Sequence, residues 1–171
     1  MIDEREKPAL AALEKLGIPY KRYEHACALT MEDCVDIGAD VGAHHCKNLF
    51  LCNRQKTDYY LMLIRGDKKF KTAVVSKLLG VSRLSFCDAE QLMDKLGLLP
   101  GSVTAMGLLC PNAKDVTVVV DEEVANFPMV CVHPCVSTAS LAITGADLMK
   151  FLHSTGNSLR LVNVPDEDAQ E

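Results

Sequence analysis

The chain has 171 residues, 49% of them hydrophobic and 24% charged, with a formal net charge of −5. That balance fits one globular domain with a core of ordinary size over residues 1–171, and it excludes a disordered or low-complexity chain. A net negative charge argues against broad, sequence-independent nucleic-acid binding, DNA included, which draws on several Lys or Arg contacts to phosphate.

No apolar run approaches the ~18–20 residues of a membrane-spanning helix, so no membrane partner is expected. The charged start Met1-Ile2-Asp3-Glu4-Arg5-Glu6-Lys7 lacks the apolar stretch of a secretory signal, which points to the cytoplasm. Eight cysteines, at 27, 34, 46, 52, 87, 110, 131 and 135, form no C-x-x-C pair, and most sit in apolar runs. They read as reduced core residues. His44-His45-Cys46 and Cys131-Val132-His133-Pro134-Cys135 lack an established ligand spacing, so no metal and no cofactor are expected.

In chain order, residues 4–16 predict a helix with leucines at three-residue spacing and Gly17 as its stop. Residues 20–25 predict a short strand. Thr30 begins a second helix that ends near Gly38 or Gly42. Cys46 to Leu51 and Tyr59 to Ile64 predict two buried strands joined as a hairpin. Phe70 to Leu79 has helical spacing closed by Gly80. Arg83 to Phe86 predicts a strand, and Asp88 caps a helix that Gly97 ends.

A loop over 98–104 leads to apolar strands at Met106–Leu109 and Val116–Val120. Two more strands follow at Met129–His133 and Ser140–Ile143. Thr144 then caps a helix buried through Leu148, Phe151 and Leu152, and Leu159–Asn163 is a last strand. The acidic tail 165–171 is expected to fray. Strand-to-strand connections recur without strict alternation with helices. The fold class is therefore α+β, a single mixed domain or a barrel-like one.

Three stretches can carry chemistry. Lys47 stands at the mouth of an apolar strand, where a charge is costly unless it is paired or faces a ligand. A lysine there can hold a phosphate as a point charge, or simply reach solvent. The run Arg65-Gly66-Asp67-Lys68-Lys69-Phe70-Lys71 is a candidate basic patch or a solvated turn. The loop Gly101-Ser102-Val103-Thr104-Ala105-Met106-Gly107 is an ordinary turn or one that presents backbone N–H groups to a carbonyl or phosphate oxygen. His133-Pro134 ends a strand, with the histidine either capping the sheet or bonding a substrate. No nucleophile elbow, P-loop or dinucleotide motif is present.

Taken in order, Lys47-Asn48-Leu49-Phe50-Leu51, the loop from Gly101 to Leu108, and Val132-His133-Pro134 with Ser137-Thr138-Ala139 resemble the YbaK / prolyl-tRNA-synthetase-associated domain family of aminoacyl-tRNA deacylases. The resemblance runs from the first helix to about Asn163. It is strongest to the free-standing branch that clears alanine from mischarged tRNA for proline.

The resemblance implies a mixed α/β domain around a curved, mostly antiparallel sheet. It implies hydrolysis of the ester between a wrong amino acid and the terminal ribose of tRNA, so a hydrolase serving translation fidelity. It assigns Lys47, Gly107 and His133 to catalysis, and Asn48, Gly101, Thr104, Ala105 and Met106 to substrate binding. Implied partners are the acceptor end of tRNA(Pro), with prolyl-tRNA synthetase or an elongation factor beside it. Ala105 and Met106 depart from the family's proline and phenylalanine, which bears on which amino acid the pocket admits.

An aminoacyl ester is already activated and carries a neighbouring hydroxyl. A site that orients it and stabilises an oxyanion is enough, and a small pocket can exclude proline by size. The alternatives are a non-catalytic module binding aminoacyl-tRNA or an amino acid, and a thiol-redox or metal protein.

Overall fold

Short apolar runs, buried on both faces, build an open, mostly antiparallel eight-stranded sheet in this computed structural model, which describes residues 1–27, 37–38 and 42–166. Its strands are β1 (Lys21–Glu24), β2 (His44–Cys52), β3 (Tyr59–Arg65), β4 (Ser85–Phe86), β5 (Thr117–Asp121), β6 (Val130–Val132), β7 (Ala139–Ile143) and β8 (Leu159–Val162). They run in the order β1-β7-β6-β2-β3-β5-β8, with β4 paired to β2 off that path. β1–β7, β6–β7, β2–β3 and β2–β4 are antiparallel. β2–β6, β3–β5 and β5–β8 are parallel.

Helices α1 (Lys7–Lys15), α3 (Ala89–Leu96) and α5 (Gly145–Ser154) bury Leu13, Leu92 and Phe151 on the larger core, with Phe50, Leu61, Val118, Val132 and Leu141 of the sheet. Helix α2 (Thr72–Leu79) covers the other face through Val75 and Leu79, against Leu51, Met62, Ile64 and Val119. A further turn of helix, α4 (Glu122–Ala125), follows β5 and was not foreseen. No helix among the described residues is long and apolar enough to cross a membrane.

Local signals account for the helix ends. Asp88 and Gln91 form a reciprocal capping box on α3, and Gly97 closes it in the left-handed region at φ 65°. Pro8 lies in the first turn of α1, where its missing N–H costs nothing. The helix expected from Thr30 falls largely outside the described residues, as do Cys34 and residues 167–171. Asp166, within the expected tail, pairs with Arg65 at 2.7 Å.

Two expectations need correction. Met106–Leu109 is not a strand: Ala105–Leu109 is a 3-10 turn, followed by a second at Pro111–Asp115. The Thr104 hydroxyl accepts from Met106 N, and Thr104 O from Gly107 N, so local bonds outcompete the ladder. The run from Arg65 to Lys71 is not an open cationic patch either. Arg65 is tied to Asp67, Glu123 and Asp166, and Lys68 is 2% exposed with Nζ on Asp121 at 2.8 Å and on Val164 O at 2.7 Å.

Candidate active site

β2 has β3 along one side from Cys46 to Cys52. On its other side it pairs with β6 only at His44 and His45, and with β4 only at Leu51 and Cys52. Among the described residues no strand covers the edge between, a gap of roughly 16 Å at 3.3 Å per residue. An uncovered edge presents backbone N–H and C=O groups to a ligand. β6 ends there because His133 is followed by Pro134, which cannot extend a ladder. Alternation sends Lys47 to one face beside the gap and Asn48 to the other.

Lys47 is half-buried, and its Nζ donates to Lys68 O at 2.6 Å. One of its three N–H donors is thus fixed by backbone, which orients the ammonium. Two residues earlier, on the same face, His45 has a buried Nε2 with no hydrogen-bond partner among the described residues. Burial first, then the charges of His133 and Lys47, lower the His45 pKa to about 4, so the ring is neutral at pH 7. Gly66 leaves room for this ring: a Cβ there would come within 2.7 Å of His45 Cδ2.

The parallel register His45↔Cys131 brings His133 to the same neighbourhood. His133 Nδ1 lies 3.3 Å from Ala139 O and 3.4 Å from Ser140 Oγ. A carbonyl only accepts, so Nδ1 carries the proton and Nε2 is left as a base. Burial lowers the His133 pKa, against the Ala139 bond that raises it. Ser140 also meets His25 Nε2 at 2.8 Å, so a chain of polar groups runs His25–Ser140–His133.

The glycine loop joins this chain through Thr104, whose Oγ1 donates to His133 O at 2.7 Å. Thr104 is 1% exposed and acts as a strut between loop and strand end. Gly101 adopts φ 85° on the rim of a cleft of about 130 Å³ with Pro100, Cys135 and Ser137. Ala105, Met106 and Gly107, by contrast, lie inside the larger core or against it, and Ala105 and Met106 are 1% and 0% exposed. Gly107 N is already bonded to Thr104 O at 3.1 Å. A Cβ on it would meet Leu98 Cδ1 at 2.8 Å and Leu96 Cβ at 3.1 Å. Gly107 is thus closely packed against Leu96 and Leu98, with its N–H already bonded inside the loop.

Asn48 Nδ2 donates to Cys46 O at 3.4 Å, and Asn48 lines an apolar cleft of about 240 Å³ with Phe50, Leu92, Pro100 and Val103. The structure thus brings together Lys47, His133 and, through Thr104, the glycine loop. It adds His45, Ser140 and His25, which sequence reasoning missed. The tandem His44-His45 before Lys47 was the available signal, since alternation puts His45 and Lys47 on one face. His44 goes the other way and stacks on Phe127 at 4.3 Å.

The described cysteines are all free thiols. Cys46, Cys52 and Cys131 are buried, and Cys87, Cys110 and Cys135 half-buried. Cys27 is exposed, 3.1 Å from Ser137 Oγ, and so lies outside the core expected of these residues. Burial pushes the Cys46 thiol up to about 12 and Cys135 to about 11, so neither is a thiolate near neutral pH.

The pattern of the aminoacyl-tRNA editing domain matches residues 25–151. The chain belongs to the aminoacyl-tRNA editing domain family. The stretch shared with the editing-domain family begins at His25 and encloses Lys47, the glycine loop, His133 and Ser140. The prolyl-tRNA editing protein ProX of Acetoanaerobium sticklandii is 27% identical over 161 residues, covering 94% of this chain and 98% of that protein. Prolyl-tRNA synthetase associated domain-containing protein 1 of Xenopus laevis is 29% identical over 161 residues, covering 92% and 95%. A solved structure provisionally described as a trans-editing enzyme for prolyl tRNA synthetase has the same fold, with a TM-score of 0.72 at 20% identity over 96% of this chain and 100% of that one.

Proposed function

We propose that this single editing domain is a trans-acting deacylase that hydrolyses the aminoacyl ester of mischarged tRNA(Pro), with alanyl-tRNA(Pro) as its substrate. The observation that carries the reading is an ammonium anchored on a backbone carbonyl, beside two neutral imidazoles, at an uncovered strand edge. Lys47 binds the phosphate or ribose oxygens of the acceptor end and sets the ester in the gap. Asn48 and the rim at Gly101 bound the space on the far side.

The ester needs little more than orientation and a proton acceptor. Water adds to the carbonyl carbon, His133 Nε2 takes its proton, and the carbon–oxygen bond to the ribose breaks. The ribose oxygen leaves with that proton, and the free amino acid departs. Thr104 and Ser140 act through His133 as positioning residues. The acceptor end of tRNA(Pro) is the partner in this reading, delivered from prolyl-tRNA synthetase or an elongation factor in the cytoplasm.

The test is single-turnover ester loss from alanyl-, cysteinyl-, seryl- and prolyl-tRNA(Pro), with and without a chelator. Rapid loss of the alanyl ester alone, insensitive to chelator, is expected. Tight binding without ester loss from any of the four would make the protein a non-catalytic binding module instead.

A further inference from the structure

β4 is two residues long, yet it presents a large aromatic ring to solvent: Phe86 is 57% exposed. The ring is not loose. It meets Phe70 edge-on, with centroids 5.6 Å apart and an interplanar angle of 64°. Phe70 in turn packs on the core beneath α2. The pairing Leu51↔Phe86 puts the Phe86 side chain on the face of Leu51, and alternation puts Lys47 on that same face.

Four residues along β2 separate the ring's register position from Lys47, roughly 13 Å. Phe86 also forms one wall of the 240 Å³ cleft that holds Asn48. The exposed Arg83 lies three residues before Phe86 in the chain. The nearby Asp88 carboxylate caps α3 and lies 3.6 Å from Lys56 Nζ, which offsets its charge.

We propose that the Phe86 ring, backed by Phe70, is a stacking platform for an unpaired nucleobase of the RNA whose ester is held at Lys47. The inference rests on the deacylase reading and names the part of the substrate that binds beside the reacting group. An exposed π-face backed by a second ring, on the face that carries Lys47, fits a base better than an aliphatic peptide. The distance is within reach of a nucleotide neighbouring the esterified ribose. Stacking also explains how a chain of net charge −5 can hold RNA, since it draws little on phosphate contacts.

The chain contains no tryptophan, so Phe86→Trp installs a single fluorophore at the platform. Titration with a short, uncharged-end RNA closing in CCA is expected to quench it saturably, and the same RNA with abasic terminal sugars is not. In kinetics, Phe86→Ala is expected to raise KM for the aminoacyl-tRNA about 5- to 150-fold, the equivalent of about 1–3 kcal/mol per stacked base. Phe86→Tyr should restore it.

Equal quenching by the abasic RNA would overturn the platform. So would a signal that follows protein concentration alone, which marks a contact between two copies, or an unchanged KM in a folded Phe86→Ala. Base-dependent quenching in a protein that hydrolyses no ester would leave the platform standing and remove the deacylase reading.

Discussion

The ammonium of Lys47 donates one N–H to the Lys68 carbonyl at 2.6 Å, so it is held by backbone and is not a side chain trailing into solvent. Two consequences follow for Lys47→Ala. A hydrogen bond from a charged group contributes roughly 1.5–3 kcal/mol, so single-turnover deacylation should fall about 10- to 150-fold. The lost bond to Lys68 O should also lower stability in a urea melt by about 1 kcal/mol. Lys47→Arg should recover little activity, because a planar fork does not reproduce a compact ammonium on that carbonyl. Wild-type rates in Lys47→Ala would remove the residue from the site.

His45 makes a pH prediction at the same scale. Its folded pKa, about 4, lies below the ordinary 6.5, so between these values the unfolded chain binds more protons. Its contribution to stability is complete above pH 6.5 and is lost as pH falls toward 4. His133, also lowered by burial, acts in the same direction. The urea midpoint should therefore drop between about pH 7.5 and about pH 4.5, and drop less in His45→Gln. An equal drop in the variant would assign the effect to other groups.

At the scale of elements, the 3-10 turn Ala105–Leu109 ties α3 to the end of β6. Gly107→Ala must push aside Leu98 and Leu96, an overpacking that typically costs about 1–3 kcal/mol, with Gly107→Val worse. Met106→Ala leaves a cavity in the larger core and should cost about 2–5 kcal/mol. Both variants are expected to show the loss in melting curves, while the choice of aminoacyl ester by the folded fraction stays the same. A widened ester profile in Met106→Ala would return that side chain to the pocket. The sequence hid this because an apolar run of four or five residues reads equally as strand or as a turn of buried helix. The Thr104 bonds decide, and they involve His133, 29 residues away.

Across the whole molecule, the buried pair Lys68–Asp121 joins the turn after β3 to the end of β5, and Val164 O closes the site from beyond β8. With side chains 1% and 0% exposed, breaking it leaves a charge without a partner. Lys68→Met should cost about 3–5 kcal/mol, and Lys68→Met with Asp121→Leu much less. Urea melts of the two variants check this, and equal losses would show that packing rather than charge sets the cost. Because the Lys68 carbonyl also holds Lys47, the single variant should lose deacylation beyond its folded fraction.

Local chemistry is what the sequence by itself determined. Asp88 and Gly97 bound α3, Thr144 starts α5, and the apolar runs in Cys46–Leu51 and Tyr59–Ile64 with the polar connection between them make the β2–β3 hairpin, because each signal acts within a few residues. The ordered motifs around Lys47, Gly101 and His133 also marked the family. Only the tertiary structure decided which side chains meet. The parallel register His45↔Cys131 joins segments 86 residues apart and sets His133 beside His45. The split of β2 between β6 and β4 opens the gap, and the packing of Leu96 and Leu98 draws Gly107 away from it. Such pairings depend on which distant strands share an edge, and no spacing within a single segment encodes that.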